Sequence, residues 1–279
     1  MLIDLHAHSS VSDGTQSPTD LVAVAAKAGV DVLALADHDT MQGLAEAGEA
    51  GRRLGVEVVP AIEVSTSWRG ADVHLLAYWP DAHDAALAHM LGAIRRGRAA
   101  RISQMLAALA EAGIEISEAD VRRSAGPTAS LGRPHVADAL VAAGVVQSRE
   151  EAFATLVGEG MAGHVRKPAP PLPQAIATVR QAGGVPVLAH PWGRGSRAVL
   201  DEVALDELTG AGLAGIEVDH LDHDPDDRER LRAVACALGL VATGGSDYHG
   251  TGKAGVALGT DRTSPQAYQR LRALRGGAV

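Results

Sequence analysis

The chain has 279 residues, of which 46% are hydrophobic and 21% charged, with a formal net charge of −9. This is the composition of a globular protein with a sizeable core, and the acidic balance argues against a surface that coats long duplex nucleic acid. No apolar run is long enough to cross a bilayer and the opening residues predict no secretory leader. We therefore expect a cytoplasmic protein with no membrane partner and no obligate protein partner. The single cysteine, Cys236, allows no internal disulfide.

The first thirteen residues, MLIDLHAHSSVSD, predict a β-strand that carries candidate metal ligands. Residues 2–8 alternate between apolar and polar types, so Asp4, His6 and His8 share one face of the strand. Two imidazoles on one face can hold a metal ion, and Asp13 follows in the next loop. A single histidine at a strand end is usually a surface group, so the interpretation depends on whether the pattern recurs.

Helix and strand signals alternate over the first 80 residues. A helix begins with Ser17 as its N-cap and Pro18 in its first turn, and ends at Gly29. The apolar run Val30–Ala36 is typical of a parallel strand buried on both faces. Further predicted elements are a helix over residues 43–54 and strands over residues 56–64 and 72–78.

The pattern then changes to consecutive amphipathic helices, predicted over residues 87–112, 117–123, 134–143 and 149–158. Four arginines on the first helix are most simply a solvated face: Arg95, Arg96, Arg98 and Arg101. The proline-rich stretch Lys167–Pro173 predicts a rigid linker. We therefore predict a small all-helical insertion over residues 99–166, between a first barrel part (1–98) and a second (167–279).

Alternation resumes after residue 171, with helices predicted over 172–182, 198–209 and 225–238 and strands over 185–189, 215–219 and 240–244. Seven strands alternating with helices predict an α/β fold. We expect a distorted seven-stranded parallel (β/α)7 TIM-like barrel with the helical insertion outside it.

Histidines and carboxylates collect at or near the strand ends of this barrel. Because the carboxyl ends of barrel strands converge on one mouth, six of the twelve histidines should meet there. Core histidines would instead scatter along the strands. The candidate ligands are His6, His8, Asp13, His38, Glu63, His74, His190, Asp247 and His249.

Six motifs in this order resemble the PHP (polymerase and histidinol phosphatase) phosphoesterases. They are DLHAH at residues 4–8, DHD at 37–39, Glu63, His74, AHP at 189–191 and GSDYH at 245–249. The resemblance spans almost the whole chain, and the set is highly specific although each motif alone is weak. The sub-group with GRPH at 132–135 in a helical insertion is most similar.

The resemblance implies two or three divalent metal ions and a metal-bound hydroxide, with no protein nucleophile. Imidazole and carboxylate ligands without thiolate suit Mn²⁺, which we favour, or Fe²⁺ or Zn²⁺. Asp4, Asp37 and Asp39 are candidates to orient the ligating imidazoles. The implied ion sites are His6, His8 and Asp247 with Glu63 bridging; Glu63, His74 and His190; and Asp13, His38 and His249.

The sub-group also implies a substrate, the nucleoside 3′,5′-bisphosphates, from which the 3′-phosphate is removed, and trimming of short single-stranded oligonucleotides from the 5′ end. Residues 160–200 contain no Asp or Glu but several basic residues, consistent with a small anionic ligand. Trp192 is a candidate to stack on a base. The candidate substrate contacts are Arg133, His135, Lys167, Arg197 and Trp192.

Three alternatives stay open at this point. A phosphatase of another metabolite, such as histidinol phosphate, needs the same metal ligands but not the insertion. A catalytically silent metal-binding module is disfavoured by the intact ligand set. Hydrolysis of a C–N bond, as in related amidohydrolase barrels, is disfavoured by the basic stretches.

Overall fold

The computed structural model describes residues 1–166, 168–193 and 195–276. One sheet of seven strands, in the order β1 to β7, forms its centre. The edge strands meet where the His8 N–H donates to the Tyr248 carbonyl at 2.9 Å, so the sheet curves into a nearly closed barrel and confirms the predicted fold class. The strands are β1 (Ile3–Ala7), β2 (Val32–Leu35), β3 (Glu57–Trp68), β4 (Ala71–Tyr78), β5 (Val185–Leu188), β6 (Gly215–Asp219) and β7 (Val241–Gly244).

The sheet is mixed, whereas the sequence analysis expected it to be parallel throughout. β4 runs antiparallel to both β3 and β5, and the other pairs of neighbours are parallel. Only Arg69 and Gly70 join β3 to β4, with φ of 46° and 85°, as a tight hairpin requires. A parallel pair would need a crossover of about a dozen residues or more. The hairpin also extends β3 beyond Val64, its expected end, to Trp68.

The first helix begins at its predicted cap. The Ser17 hydroxyl accepts the Asp20 N–H at 3.1 Å. The helix expected from residue 198 begins later, because Asp201 accepts the Ala204 N–H at 2.9 Å and sets the start there. A final helix was not predicted. The helices are α1 (Pro18–Lys27), α2 (Leu44–Leu54), α3 (Ala85–Glu111), α4 (Glu118–Ala125), α5 (Arg133–Ala142), α6 (Arg149–Ala152), α7 (Leu172–Gln181), α8 (Glu202–Gly210), α9 (Pro225–Ala237) and α10 (Pro265–Ala273).

Helix α3 contributes to two separate apolar clusters. Its first half, including Leu87 and Leu91, packs against the barrel. Its second half, including Ile102 and Met105, packs with the helices that follow, for example against Val136. A π-helical turn over Phe153–Val157 continues directly from α6. Across the described ranges, every helix is too short or too polar to span a bilayer.

Candidate active site

The nine predicted ligands come together at one end of the barrel. All of them except His74 are buried to more than nine-tenths, and His74 is partly buried. In each of four groups, one possible ligand atom per residue lies within 4.8 Å of the others. The groups are His8, Asp13, His38 and His249; His6, His8, Glu63 and Asp247; His38, Glu63 and His74; and His6, Glu217 and His220.

Glu63 lies at the centre of this cluster. It is 1% exposed and lies within the buried part of β3. Burial alone would raise its pKa, but the imidazoles around it outweigh this and hold the pKa of Glu63 well below its ordinary value. Its carboxylate is therefore an anion that several groups can share. The imidazole nitrogens within reach of its oxygens are His6 Nε2 (3.4 Å), His8 Nε2 (3.3 Å), His38 Nδ1 (3.0 Å), His74 Nδ1 (2.8 Å) and His190 Nε2 (3.0 Å).

Asp13 forms a second centre with histidines from other loops. Its Oδ1 lies 3.4 Å from His249 Nε2 and its Oδ2 lies 3.6 Å from His38 Nε2. His8 Nδ1 is 3.8 Å from the same Oδ1. Burial alone would raise the pKa of Asp13, but the field of His38 and His249 lowers it well below its usual range. The structure thus brings together the residues expected at a third ion.

Glu217, which was not recognised from the sequence, orients His6. Glu217 lies inside β6 and is 1% exposed. Its Oε1 is 3.0 Å from His6 Nδ1, and its Oε2 accepts the backbone N–H of His190 at 3.0 Å. Because Nδ1 of His6 is engaged by this carboxylate, its Nε2 is turned towards Glu63. This is the usual arrangement around a metal-binding histidine.

Asp247 is fixed by two basic side chains. Lys253 Nζ lies 2.7 Å from its Oδ2, and His220 Nε2 lies 3.3 Å from the same oxygen. His220 Nδ1 accepts the Asp222 N–H at 3.0 Å, so the ring proton belongs on Nε2 and is donated to Asp247. His249 Nδ1 is 2.8 Å from the Asp247 carbonyl oxygen, which leaves Nε2 of that ring facing Asp13.

The three aspartates expected to orient the imidazole rings instead hold backbone and loops. Asp4 accepts the N–H groups of Ser246 (2.9 Å) and Gly259 (2.8 Å). The partners of Asp37 are the backbone N–H of Ser9 and the hydroxyls of Ser9 and Ser12; those of Asp39 are the backbone N–H and hydroxyl of Ser65 and the guanidinium of Arg98. The orienting carboxylate that contacts a ring is Glu217.

Three residues of the site have unusual backbone conformations. Asp39, His190 and Asp247 have φ of 57°, 28° and 51°, a region of backbone conformation that residues other than glycine seldom adopt. Such strain costs of order 1–3 kcal/mol per residue and persists only where the surroundings enforce it. The His190 N–H bond to Glu217 is one such constraint.

The donor set fits divalent metal ions. Three buried imidazoles have nitrogens without a hydrogen-bond partner among the described residues: His6 Nε2, His8 Nδ1 and Nε2, and His38 Nδ1. A buried polar atom without a partner is costly, by about 1–3 kcal/mol, and an ion between these nitrogens and the carboxylates removes that cost. Nitrogen and oxygen ligands without sulfur suit Mn²⁺, Fe²⁺ or Zn²⁺.

A cavity of about 600 Å³ opens beside the cluster, with His38, His74, His190 and His249 in its wall. Much of the remaining lining comes from the helical segment and is net basic, although Glu150 and Glu159 also belong to it; we call this part the basic wall. Apolar contacts are supplied by Phe153 and Leu200. The cations that line the cavity are Arg98, Arg101, Arg133, Arg149, Arg166 and Lys253.

Arg98 and Arg101 are not the solvated face that the sequence suggested. They are only 7% and 5% exposed. Arg98 forms an ion pair with Asp39 at 2.6 Å, whereas Nε and one terminal nitrogen of Arg101 have no hydrogen-bond partner among the described residues. Burial, together with Arg133, lowers the pKa of Arg101 to about 10.

The expected substrate contacts are distributed differently. Arg133 lines the cavity, with its guanidinium 5.8 Å from the Phe153 ring. His135 is 3% exposed and both ring nitrogens are engaged: Nδ1 accepts the Gly132 N–H (3.0 Å) and Nε2 lies 2.9 Å from the Ser12 carbonyl oxygen. We therefore correct its role from substrate contact to structural support. Lys167 lies outside the described residues.

Trp192 and Arg197 are not among the described residues that line the cavity, although Gly193 and Ser196 beside them are. Trp192 is 7% exposed and its indole N–H donates to the Leu200 carbonyl at 2.8 Å. Arg197 covers the Trp192 ring at 4.5 Å and pairs with Asp227. The ring is covered and the guanidinium is paired, so both side chains are engaged by other protein groups in this structure, and their contact with a substrate stays a prediction.

Comparison with known proteins identifies the family. A family model described as the PHP domain matches residues 4–118. A 3′,5′-nucleoside bisphosphate phosphatase from Chromobacterium violaceum is 37% identical over 265 residues, which cover 94% of this chain and 92% of the relative. The chain belongs to the PHP family.

Two further proteins are similar to this PHP protein over most of its length. A 5′-3′ exoribonuclease from Haemophilus influenzae is 33% identical, with 88% of this chain and 89% of the relative covered. A crystal structure described as a metal-dependent phosphoesterase from Bifidobacterium adolescentis superposes with a TM-score of 0.94 at 36% identity, covering 98% of this chain and 96% of that one. This PHP protein is therefore a hydrolase of phosphate esters.

Proposed function

We propose that this PHP protein removes the 3′-phosphate from nucleoside 3′,5′-bisphosphates to give nucleoside 5′-monophosphates, and also trims short single-stranded oligonucleotides from the 5′ end. The observation that carries the proposal is Arg101, a buried cation in a cavity that adjoins the histidine and carboxylate cluster. A substrate with one phosphate at the cluster and a second at Arg101 would contact both parts of the cavity lining.

The cluster supplies ligands for two or three divalent ions, with Mn²⁺ favoured. When bound, such ions activate a water molecule and neutralise charge on the phosphoryl group. Glu63 would be shared between two ions because its two oxygens face different histidines. The proposed ligand sets are His6, His8, Glu63 and Asp247; Glu63, His74 and His190; and Asp13, His38 and His249.

The chain's own side chains would place the substrate. An arginine binds a phosphate through two parallel N–H donors, and Arg133 and Arg101 line the same basic wall. Asp72 also lines the cavity and supports the charge of Arg101. The guanidinium of Arg101 keeps its charge at neutral pH, since its pKa is about 10. A second phosphate would replace the water that Arg101 loses on burial.

The helical segment over residues 99–166 is proposed as the recognition insertion of the barrel. It contributes Arg101, Arg133, Phe153 and His164 to the cavity wall. Phe153, and not Trp192, is the aromatic side chain available to a base there, because Phe153 lines the cavity whereas Trp192 does not. A minimal metabolite phosphatase would not need this wall.

The named relatives support a nucleotide substrate. One is named for a nucleoside bisphosphate and the other for RNA, and in both kinds of substrate a nucleotide carries phosphate groups on its 3′ and 5′ sides. Histidinol phosphate carries one phosphate and would leave Arg101 without an anion. The formal net charge of −9 disfavours a long duplex.

Phosphate release from a panel of substrates tests this proposal. The Mn²⁺-loaded protein is given adenosine 3′,5′-bisphosphate, 5′-AMP, 3′-AMP and histidinol phosphate in parallel. We expect a strong preference for the bisphosphate, with 5′-AMP as the product. Release from histidinol phosphate alone would reject the nucleotide substrate, and 3′-AMP as the product would reverse the assignment of the reacting phosphate.

A further inference from the structure

We infer that Arg149, held by Asp138, is a positioning residue that fixes Asp13 relative to His249 and so sets the affinity of the third divalent ion. This inference rests on the proposed metal-dependent function. Asp13 and His249 lie on different loops, one after β1 and one after β7. Their ligand atoms, Oδ1 and Nε2, are 3.4 Å apart, so a small shift of either loop changes the site.

Arg149 joins these two loops from outside the barrel. One terminal nitrogen donates to the carbonyl oxygen of Asp13 at 3.3 Å and to that of Gly252 at 3.2 Å. The Gly252 N–H in turn donates to the His249 carbonyl at 3.3 Å. A single guanidinium therefore spans the backbone of both ligand loops.

Asp138 on α5 fixes the orientation of this guanidinium. Its two oxygens accept from Nε (2.8 Å) and the other terminal nitrogen (2.6 Å) of Arg149. This is a bidentate pair, which defines the plane of the arginine as well as its distance. The side chains are only 14% and 29% exposed, so solvent screens the pair less than a surface ion pair.

The same helical segment holds the Asp13 loop at three further points. The Thr128 hydroxyl is 2.7 Å from the Ser12 carbonyl oxygen and 3.0 Å from that of Val11. The Ala129 N–H donates to Val11 at 3.0 Å, and His135 Nε2 lies 2.9 Å from the Ser12 carbonyl. These contacts hold the residues just before Asp13. Arg149 bonds to Asp13 itself and also reaches the loop after β7, where the neighbouring Glu150 carboxylate accepts from the Ala254 backbone.

The loops also contact one another directly, which defines what Arg149 adds. The Thr15 N–H donates to the His249 carbonyl at 3.2 Å, and the Thr251 N–H donates to the Thr15 hydroxyl at 3.0 Å. These bonds join the two loops through Thr15, independently of Arg149. Without Arg149 the loops would remain joined there, but Asp13 could shift relative to His249, so we expect weaker binding of one ion and not unfolding.

Asp138→Ala is the sharpest variant, because Asp138 lies outside the cavity lining whereas Arg149 is part of it. The matched control is Asp120→Ala, which removes an exposed ion pair with Arg123 and the capping box of α4 in the same helical segment, so it also controls for a local loss of helix stability. Arg149→Lys keeps the positive charge but loses the bidentate geometry. Gly252→Ala adds a methyl group that would collide with the Arg149 guanidinium. This variant tests the contact while Asp138 and Arg149 themselves are unchanged.

The experiment titrates metal-free protein with Mn²⁺ in the absence of substrate and counts the bound ions from the free-Mn²⁺ paramagnetic resonance signal. We expect the wild type and Asp120→Ala to bind three ions alike. In Asp138→Ala and Arg149→Lys one ion should bind about 10- to 100-fold more weakly, as for other residues that orient ligands, with the remaining ions unchanged. Thermal unfolding of each variant is measured alongside.

Each outcome decides the inference. Unchanged binding of all ions in Asp138→Ala, Arg149→Lys and Gly252→Ala would overturn it, as would a uniform weakening of every ion. A wild type that binds only two ions would overturn it while leaving the proposed function intact. A wild type that binds none would overturn the proposed function itself. If Asp138→Ala does not fold, Arg149→Lys and Gly252→Ala carry the test.

Discussion

Nδ1 of His6 lies 3.0 Å from Oε1 of Glu217, a carboxylate that is buried in the middle of β6. Burial alone would lower the pKa of His6, but Glu217, Glu63 and Asp247 outweigh this and raise it well above its ordinary value. The pair couples β1 to β6, two strands that are separated in the barrel by β7 alone. Glu217 also holds the His190 backbone, so one side chain outside the proposed ligand set orients two residues within it.

Removal of Glu217 should weaken metal binding more than it weakens the fold. We expect Glu217→Ala to lower Mn²⁺ affinity about 10- to 100-fold, and Glu217→Gln to have a smaller effect because its amide oxygen can still accept from His6. Isothermal titration of metal-free protein measures both. Glu207→Ala, at an exposed pair with Arg69, is the control, and equal affinity in Glu217→Ala and Glu207→Ala would refute this role.

Asp13 and His249 should each be required for turnover. Asp13→Ala and His249→Ala each remove one of the proposed ligands of the third ion, so we expect phosphate release from a bisphosphate to fall by several orders of magnitude. Cooperative thermal unfolding should be retained, because the barrel core does not depend on these side chains. Near-complete activity in either variant, measured at saturating Mn²⁺, would exclude that residue from the catalytic ligand set.

Arg101 should distinguish bisphosphates from simple phosphate esters. Loss of a charged hydrogen-bonding group costs about 1.5–3 kcal/mol, so we expect Arg101→Ala to reduce kcat/KM for adenosine 3′,5′-bisphosphate about 10- to 100-fold, chiefly through KM. Turnover of an aryl phosphate should change little. The exposed Arg123→Ala serves as the control, and equal losses on both substrates would mean that Arg101 does not bind the second phosphate.

Metal binding should release protons at neutral pH. Burial alone would lower the pKa of His8, but the neighbouring carboxylates of Asp247 and Glu63 raise it to about 9 in the metal-free protein. Below that pH the imidazole is protonated and an ion must displace the proton, so apparent Mn²⁺ affinity should rise as pH increases towards 9. Calorimetry in two buffers with different ionisation enthalpies measures the release. An affinity independent of pH over that interval would contradict this.

The grouping of these side chains could be predicted from sequence because barrel strands share a mouth. His8, His38 and His190 follow short buried strands whose carboxyl ends must converge. The mixed sheet could also have been recognised, since the two-residue connection at Arg69 and Gly70 permits only an antiparallel pair. Reversal of β4 explains why His74 contributes from within a strand and not from its end.

The basic wall was harder to predict because charged residues are normally assigned to solvent. Arg98 and Arg101 lie four and seven residues after Ile94, on the same helical face as buried Ile94 and Met105. That spacing was the available signal. Glu217 offered a weaker one, a single carboxylate between Ile216 and Val218 in a buried strand. Neither pattern says which cavity the side chain enters, since that depends on how α3 and β6 pack.

The most direct test of the central claim is phosphate release from adenosine 3′,5′-bisphosphate by protein whose metal content has been removed and verified by elemental analysis. We expect no turnover by the metal-free protein and recovery on addition of Mn²⁺, because the buried histidine and carboxylate cluster would act by holding divalent ions. Full turnover by the metal-free protein would contradict it.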